Sequence, residues 1–390
     1  MPRYNPFNCR PYEIFRYSYD GEKLRFDYSQ LKKYHLRDQL LPGIKNENYK
    51  PSLKTGCNKY KRTVYSNKES KIEFFAITLA AYEFLTKPLD KFKDNNNEIE
   101  ILCHNGVHND LILNTNDIYN IILYKNKLII SNTATRANQN QLLSYIGIKF
   151  ESILTNEPSP TNGSNFKILL EGKFGKWPFK SVAEIDSFKG NYFDKKDNKE
   201  KRIYTEIKLC FINGITVENI SELNNDNKEE ILLFLKENVN YFNLKFKKWL
   251  IQSFFGIQDY LVIGIRNEKY QLICNFELDL KKDFIPFVKK YYPNFYETFL
   301  NSIDTLDRKY DIIYQQVKEL QNSEKDVFEF HCNKLQVKKI SDGNKNDEMF
   351  HNILVPEYLA MVDKNRDILF DSKYINKEAY IELKMGSLNI

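Results

Sequence analysis

Long apolar runs are missing from this 390-residue sequence. Stretches such as Leu261-Val262-Ile263 are far too short to cross a bilayer, so no membrane-spanning helix is expected. The first ten residues hold Pro2 and Pro6 and lack the apolar core of a secretory signal, so a soluble intracellular protein is expected. Cysteine is scarce and scattered: Cys9, Cys57, Cys103, Cys210, Cys274 and Cys332 include no CxxC pair, the pattern of reduced thiols in a cytosolic or nuclear protein. Histidine is scarcer still, with five residues. His35, His331 and His351 stand alone, with no serine or cysteine nucleophile placed beside them.

What the chain does contain is charge and aromatic surface. Lysine and arginine number 58 against 52 acids, a net charge of +6 with pI near 8.7. That balance suits a polyanionic partner but falls short of a basic nucleic-acid domain. Tyrosine (26) and phenylalanine (28) are plentiful, chiefly a compositional bias and secondarily a supply of stacking platforms.

No repeat and no Pro/Gly/Ser linker divides the chain. Asn/Lys-rich stretches at 93–97, 195–201, 224–228 and 344–347 read as solvated loops. The first 70 residues read as irregular surface segments. Helices are expected near 72–85 and 139–153, and short strands at 99–103, 111–113 and 127–131. Runs at 166–170, 182–188 and 203–209 are β-prone. Residues 228–255 lack Gly and Pro, with Asn227 as N-cap, Glu229 and Glu230 in the first turn, and Phe242, Phe246 and Trp249 as an apolar stripe. A strand pair is expected at 260–265 and 271–276, and helices between 283 and 319. The fold class is α+β: one domain over 1–390, with mixed, twisted sheets flanked by helices around a nuclease-like carboxylate/lysine core, its motifs within 147–266.

Strand alternation sorts the chemistry. Glu184 and Asp186 share one face, Ala183 and Ile185 the other. Glu206 and Lys208 share a face, while Ile203, Thr205, Ile207 and Leu209 point away. If the two strands are neighbours, three carboxylates and an ammonium converge, which is costly without a cation. Hard divalent ions such as Mg²⁺ or Mn²⁺ take such oxygen ligands, and a pair of ions supports in-line phosphoryl displacement. Lys208 would then hold the attacking water and offset charge on the scissile phosphate. Taken alone, Glu-x-Lys also describes a surface ion pair. Glu277-Leu278-Asp279 repeats the acid pair, and Glu382-Leu383-Lys384, with Asp367 and Asp371 upstream, repeats the second half.

The text around these residues resembles the decapping and exoribonuclease (DXO) family. The matching pieces are GIKFE (147–151), AEID (183–186), TEIK (205–208) and KFKKWLIQSFFGI (245–257), then a strand ending Ile263-Gly264-Ile265-Arg266. The resemblance implies a metal site of Glu151, Glu184, Asp186 and Glu206, with the Ile207 carbonyl assisting. It places Lys208 and Gln252 beside the scissile phosphate. Lys245, Lys248 and Gln252 also fall on one helix face at i, i+3, i+7. Lys245 and Lys248 are expected on the RNA backbone, and so are Lys149 and Lys173 on their own segments. The implied activity is metal-dependent decapping and 5′–3′ exonucleolysis of capped or monophosphorylated single-stranded RNA, by a monomer that needs no stable protein partner. The expected location is the cytoplasm, with the nucleus second.

One family feature is missing. Many members carry a phosphate-binding arginine on an upstream helix, but this chain has none between Arg62 and Arg136. Without a bidentate clamp, pyrophosphate release should be weak, as in the cytoplasmic fungal branch. Rival readings are a DNA endonuclease with a restriction-enzyme-type site and a non-catalytic RNA-binding partner of another nuclease. Cys103, His104 and His108 could ligate zinc, but Asn105-Gly106 reads as a hairpin turn that disperses them. Gly172 to Lys176 lacks phosphate-loop spacing, and its glycines read as a turn.

Overall fold

The computed structural model describes residues 2–19, 24–34, 51–59, 79, 98–132, 141–156, 165–194, 199–216, 220, 223, 226–340, 348–351, 353–354 and 358–359. Its elements begin with β1 (Tyr12–Tyr19), β2 (Leu24–Arg25), β3 (Glu100–His104), α1 (Asn105–Leu113), β4 (Ile118–Tyr124) and β5 (Lys127–Asn132). Then follow α2 (Gln141–Leu154), β6 (Asn165–Phe174), β7 (Trp177–Ile185), β8 (Ser187–Asp194) and β9 (Lys199–Phe211). The rest comprises α3 (Lys228–Asn238), α4 (Phe242–Phe255), β10 (Gln258–Arg266), β11 (Leu272–Asp279), α5 (Ile285–Tyr291), α6 (Pro293–Leu300), α7 (Ser302–Leu320), β12 (Phe328–His331) and β13 (Gln336–Lys339).

Among the described residues the strands form two mixed sheets. One runs β13-β12-β4-β5-β3-β7-β6-β1-β2, the other β11-β10-β9-β8. Consecutive strands β7 and β8 therefore belong to different sheets, and Asp186 is the residue between them. The expected single strand over 182–188 is broken at this point.

Hydrophobic alternation fixes both faces of the smaller sheet. Ile207 and Val262 pack with Phe150 and Tyr145 of α2, while Leu261, Ile263 and Ile265 pack with Phe246, Leu250 and Phe254 of α4. Helices thus cover both sides, as a sheet buried on two faces requires. Gly264 on β10 lets α2 approach closely: a Cβ there would lie 2.4 Å from the Phe150 ring.

The β6–β7 hairpin closes on Gly175–Lys176, with Gly175 at φ +62. This confirms the turn expected in residues 172–176. A Cβ on Gly175 would run into the Asp307 carboxylate, which accepts the Lys176 N–H at 2.9 Å. The turn is pinned to α7.

Several expectations are corrected. Asn105-Gly106 opens helix α1 rather than a hairpin, because Val107, His108, Leu111 and Ile112 bury one continuous stripe. The strand expected at 111–113 is the end of that helix. The tyrosine-rich N-terminus is not all irregular, since β1 pairs with β6 over seven registered residues. Residues 228–255 form two helices, because Tyr241 takes the left-handed conformation at φ +57. Asn227 does cap α3, accepting from Glu230 N at 3.2 Å. The helix expected over 72–85 lies outside the described residues apart from buried Leu79, as do the second decoy (Asp367, Asp371, Glu382, Lys384) and His35.

Candidate active site

The break between the sheets assembles the charged residues. Glu206 and Lys208 lie on the α4-facing side of β9, and Ile207 points the other way into the α2 packing. The Glu206 residue is 1% exposed. One of its oxygens, Oε1, accepts from Gln252 Nε2 at 2.7 Å and from the Lys208 ammonium. Its other oxygen, Oε2, is buried without a hydrogen-bond partner.

Asp186 reaches back to the same strand, accepting the Ile207 N–H at 2.8 Å on Oδ2. Strand β8 ends its pairing with β9 at Ser187–Thr205, so the Ile207 edge is open for this contact. A strand residue turns N–H and C=O to the same edge, and the Ile207 carbonyl therefore faces the Asp186 side. Glu184, at the exposed end of β7, is held through its own carbonyl, which accepts from Gln258 Nε2 at 3.3 Å. Glu151 enters from the last turn of α2. Its carbonyl accepts from both the N–H and the hydroxyl of Thr155, each at 2.9 Å.

Electrostatics shows how tightly these groups are gathered. Burial, then the charges of Glu184 and Glu206, push the Glu151 carboxyl up to about 7, against the pull of Lys208 and Lys32. Burial and the carboxylates of Glu206 and Glu151 push Asp186 well above the usual range. Burial opposes the Lys208 charge, but Glu206, Asp186 and Glu151 outweigh it and hold the ammonium strongly protonated.

Among the described residues, no three His, Cys, Asp or Glu side chains are gathered into a ready-made metal cage. The donor set still fits a hard divalent cation. Mutually repelling carboxylates, one of them with an orphaned buried oxygen, are costly unless a cation joins them. Zinc ligation by Cys103, His104 and His108 is not supported. His108 is fully buried among Phe174, Phe179 and Phe255, with Nδ1 on the Tyr310 hydroxyl at 2.7 Å. Burial drives its pKa down to about 3, so it is a neutral core residue.

The lysines divide. Lys149 is half-buried on α2, two residues before Glu151. Lys245 and Lys248 share the α4 face of Gln252, about a quarter turn from the buried stripe of Phe242, Phe246 and Trp249. Lys173 is placed elsewhere: it lies opposite Pro178, six residues along the hairpin from the level of Glu184, about 20 Å at strand rise. Its ammonium pairs with Glu98 at 2.7 Å, so it does not join the site.

Two lysines near the carboxylates escaped the sequence reading. Lys167 sits in register beside Glu184, and Lys32 acts on Glu151. Lys167 was legible: with a two-residue turn at 175–176, simple hairpin counting sets it opposite Glu184. Lys32 lies in an irregular segment and had no such signal. The decoy Glu277 faces a different group, pairing with Lys189 at 2.5 Å.

Comparison with known proteins agrees with this architecture. No curated protein matches the sequence. The fold is similar to Candida albicans Rai1 solved with pU5 and Mn²⁺: 16% identity, TM-score 0.64, covering 93% of this chain and 100% of that one. It is similar to Scheffersomyces stipitis Rai1 solved with (3′-NADP)+ and calcium, at 17% identity and TM-score 0.63, covering 91% and 95%. S. pombe Rai1 with 3′-FADP follows at 17% identity and TM-score 0.53, covering 87% and 100%. Residues 9–359 match the model of the RAI1-like PD-(D/E)XK nucleases, metal-dependent hydrolases. The chain belongs to the RAI1-like PD-(D/E)XK nuclease family.

Proposed function

We propose that this nuclease acts on RNA 5′ ends, hydrolysing the phosphodiester after the first nucleotide so that the cap leaves as a dinucleotide. The same centre then trims the exposed monophosphorylated end in the 5′–3′ direction. The observation that carries this is the meeting of Glu206, Lys208, Gln252 and Asp186 at the break between the sheets. The RNA and dinucleotide ligands of the Rai1 proteins support the choice of substrate.

Glu151, Glu184, Asp186 and Glu206, with the Ile207 carbonyl, would hold the metal. A divalent ion bound there supplies Lewis-acid stabilisation of charge on the phosphoryl oxygens. The chain's own groups do the rest. Lys208 positions the attacking water or a phosphate oxygen and offsets developing charge. Gln252 donates its amide N–H to Glu206 and keeps its amide oxygen as an acceptor for orienting water. Lys149, Lys245 and Lys248 are proposed contacts to the RNA backbone.

The absence of arginine between Arg62 and Arg136 supports weak or absent pyrophosphate release, as in the cytoplasmic branch. We place the protein in the cytoplasm, working as a single-domain monomer. The test uses one RNA body with an unmethylated cap, a 5′-triphosphate or a 5′-monophosphate, each with Mg²⁺ or Mn²⁺. Capped dinucleotide, mononucleotides and no pyrophosphate are expected, and the Glu184→Ala/Asp186→Ala double variant should be inert. Intact RNA in every lane, or cleavage of duplex DNA instead, overturns the reading.

A further inference from the structure

The segment 24–34 crosses between the sheets and carries an arrangement that the reaction above does not use. Tyr28 stacks on Phe166 with centroids 5.6 Å apart. Two guanidinium groups lie against the same tyrosine ring, Arg16 at 4.1 Å and Arg202 at 3.4 Å. Further along, the segment hydrogen-bonds to the start of β8: Phe188 N–H donates to Lys32 O at 2.9 Å, and Tyr34 N–H to Phe188 O at 3.1 Å. Phe188 is two residues past Asp186, so this pairing delivers Lys32 to the edge of the carboxylate cluster.

Glu13 pairs with Arg16 at 3.0 Å and is itself held by the Tyr204 hydroxyl at 2.7 Å. Arg202 forms no salt bridge among the described residues. Two cations brought to one ring repel each other, and among the described residues Glu13 is the one carboxylate that pairs with either of them.

Position gives the arrangement a direction. Arg202 lies on the same face of β9 as Glu206 and Lys208, by strand alternation, and four residues from Glu206. That separation is about 13 Å at strand rise, farther than one nucleotide repeat. Cys210, whose thiol feels the charge of Lys245, lies four residues the other way. The strand face thus runs from Arg202, through the carboxylates, to the α4 lysines.

We propose that Arg202, with Arg16 beside it, binds backbone phosphates of the RNA strand beyond the scissile bond, with Tyr28 as the platform that orients the guanidiniums. Arginine suits this role because its planar fork both stacks on an aromatic ring and pairs with phosphate oxygens. Single-stranded nucleic acid is held by cationic tracks of this kind, and each phosphate contact adds to the salt dependence of binding. The inference rests on the RNA reading above.

The test measures binding of a 3′-fluorescent, 5′-monophosphorylated oligouridine, long enough to pass Arg202, by anisotropy in Ca²⁺ over a salt series. The dinucleotide pUpU serves as a short competitor. Arg202→Gln should weaken the long RNA roughly fivefold and lower the slope of log Kd against log salt by about 0.7, the value for one single-strand contact. The pUpU affinity and the melting temperature should stay unchanged. Arg202→Lys, which keeps the charge, should recover the salt slope. An unchanged slope in Arg202→Gln, or an equal loss for pUpU and the long RNA, overturns the station and leaves a structural stack. Failure of the wild-type chain to bind either RNA overturns the RNA reading itself, and the station with it.

Discussion

Substituting Gly264 by alanine tests whether the position of α2 governs the chemistry. The new methyl would lie 2.4, 2.7 and 2.8 Å from three atoms of the Phe150 ring. Carbon atoms pack at about 3.5–4.0 Å, so the ring must retreat by about 1 Å. It has nowhere to go, because Phe150 is fully buried between α2 and β10. Overpacking of this kind costs about 1–3 kcal/mol. The next residue along the helix is Glu151, so the displacement is passed to a carboxylate of the proposed metal site, and a shift of about 1 Å in a reacting constellation can cost on the order of 100-fold in rate. Turnover of 5′-monophosphorylated RNA, measured beside the denaturant midpoint, should show a large fall in kcat with a modest loss of stability. Phe150→Leu should partly rescue Gly264→Ala, a coupling that a double-mutant cycle detects. Gly190→Ala, where a Cβ meets nothing within 4 Å, is the matched control. Full kcat in Gly264→Ala with its stability loss present would refute the reasoning, since Glu151 would then tolerate the displacement.

Two further outcomes follow from the buried ionisable groups. Asp186 has a folded pKa above its unfolded value, so its contribution to stability is present at low pH and lost as pH rises through the folded pKa. Asp186→Asn should therefore raise the stability of the EDTA-treated protein at neutral pH, while abolishing turnover and the stabilisation given by Mn²⁺; chemical denaturation with and without the ion reads both. For His108 the sign reverses, because burial lowers its pKa from 6.5 to about 3. Stability is present above pH 6.5 and lost as the unfolded chain takes up a proton, about 2 kcal/mol between pH 6.5 and 5. His108→Gln should flatten that part of the stability–pH curve, and an unchanged slope would show that another group titrates there.

Much of the site was readable because strand alternation is a rigid rule. The division of Glu184 from Ala183 and Ile185, and of Glu206 and Lys208 from Ile207, holds in the folded chain. The cap at Asn227 and the stripe of Phe242, Phe246 and Trp249 hold for similarly local reasons. What could not be read depends on tertiary neighbours. Asn-Gly favours a turn locally, yet residues 105–113 fold as a helix because α4 and α7 offer a surface for its apolar stripe. The division of residues 182–188 between two sheets is hidden by β-prone Val182, Ile185 and Phe188 on either side of Asp186, although aspartate itself is uncommon in strands. Tyr241 carries no sequence signal for the left-handed turn that separates α3 from α4. Arg16, Tyr28 and Arg202 meet across three distant segments, and no spacing rule connects them.

Because Asp186 is the joint between the sheets, the proposed active centre has no existence in either half alone. Glu184 belongs to the larger sheet, Glu206 and Lys208 to the smaller, and Glu151 and Gln252 to helices on its opposite faces. Affinity for a metal at the proposed site would therefore gauge tertiary assembly: during refolding it should return only when both sheets have docked.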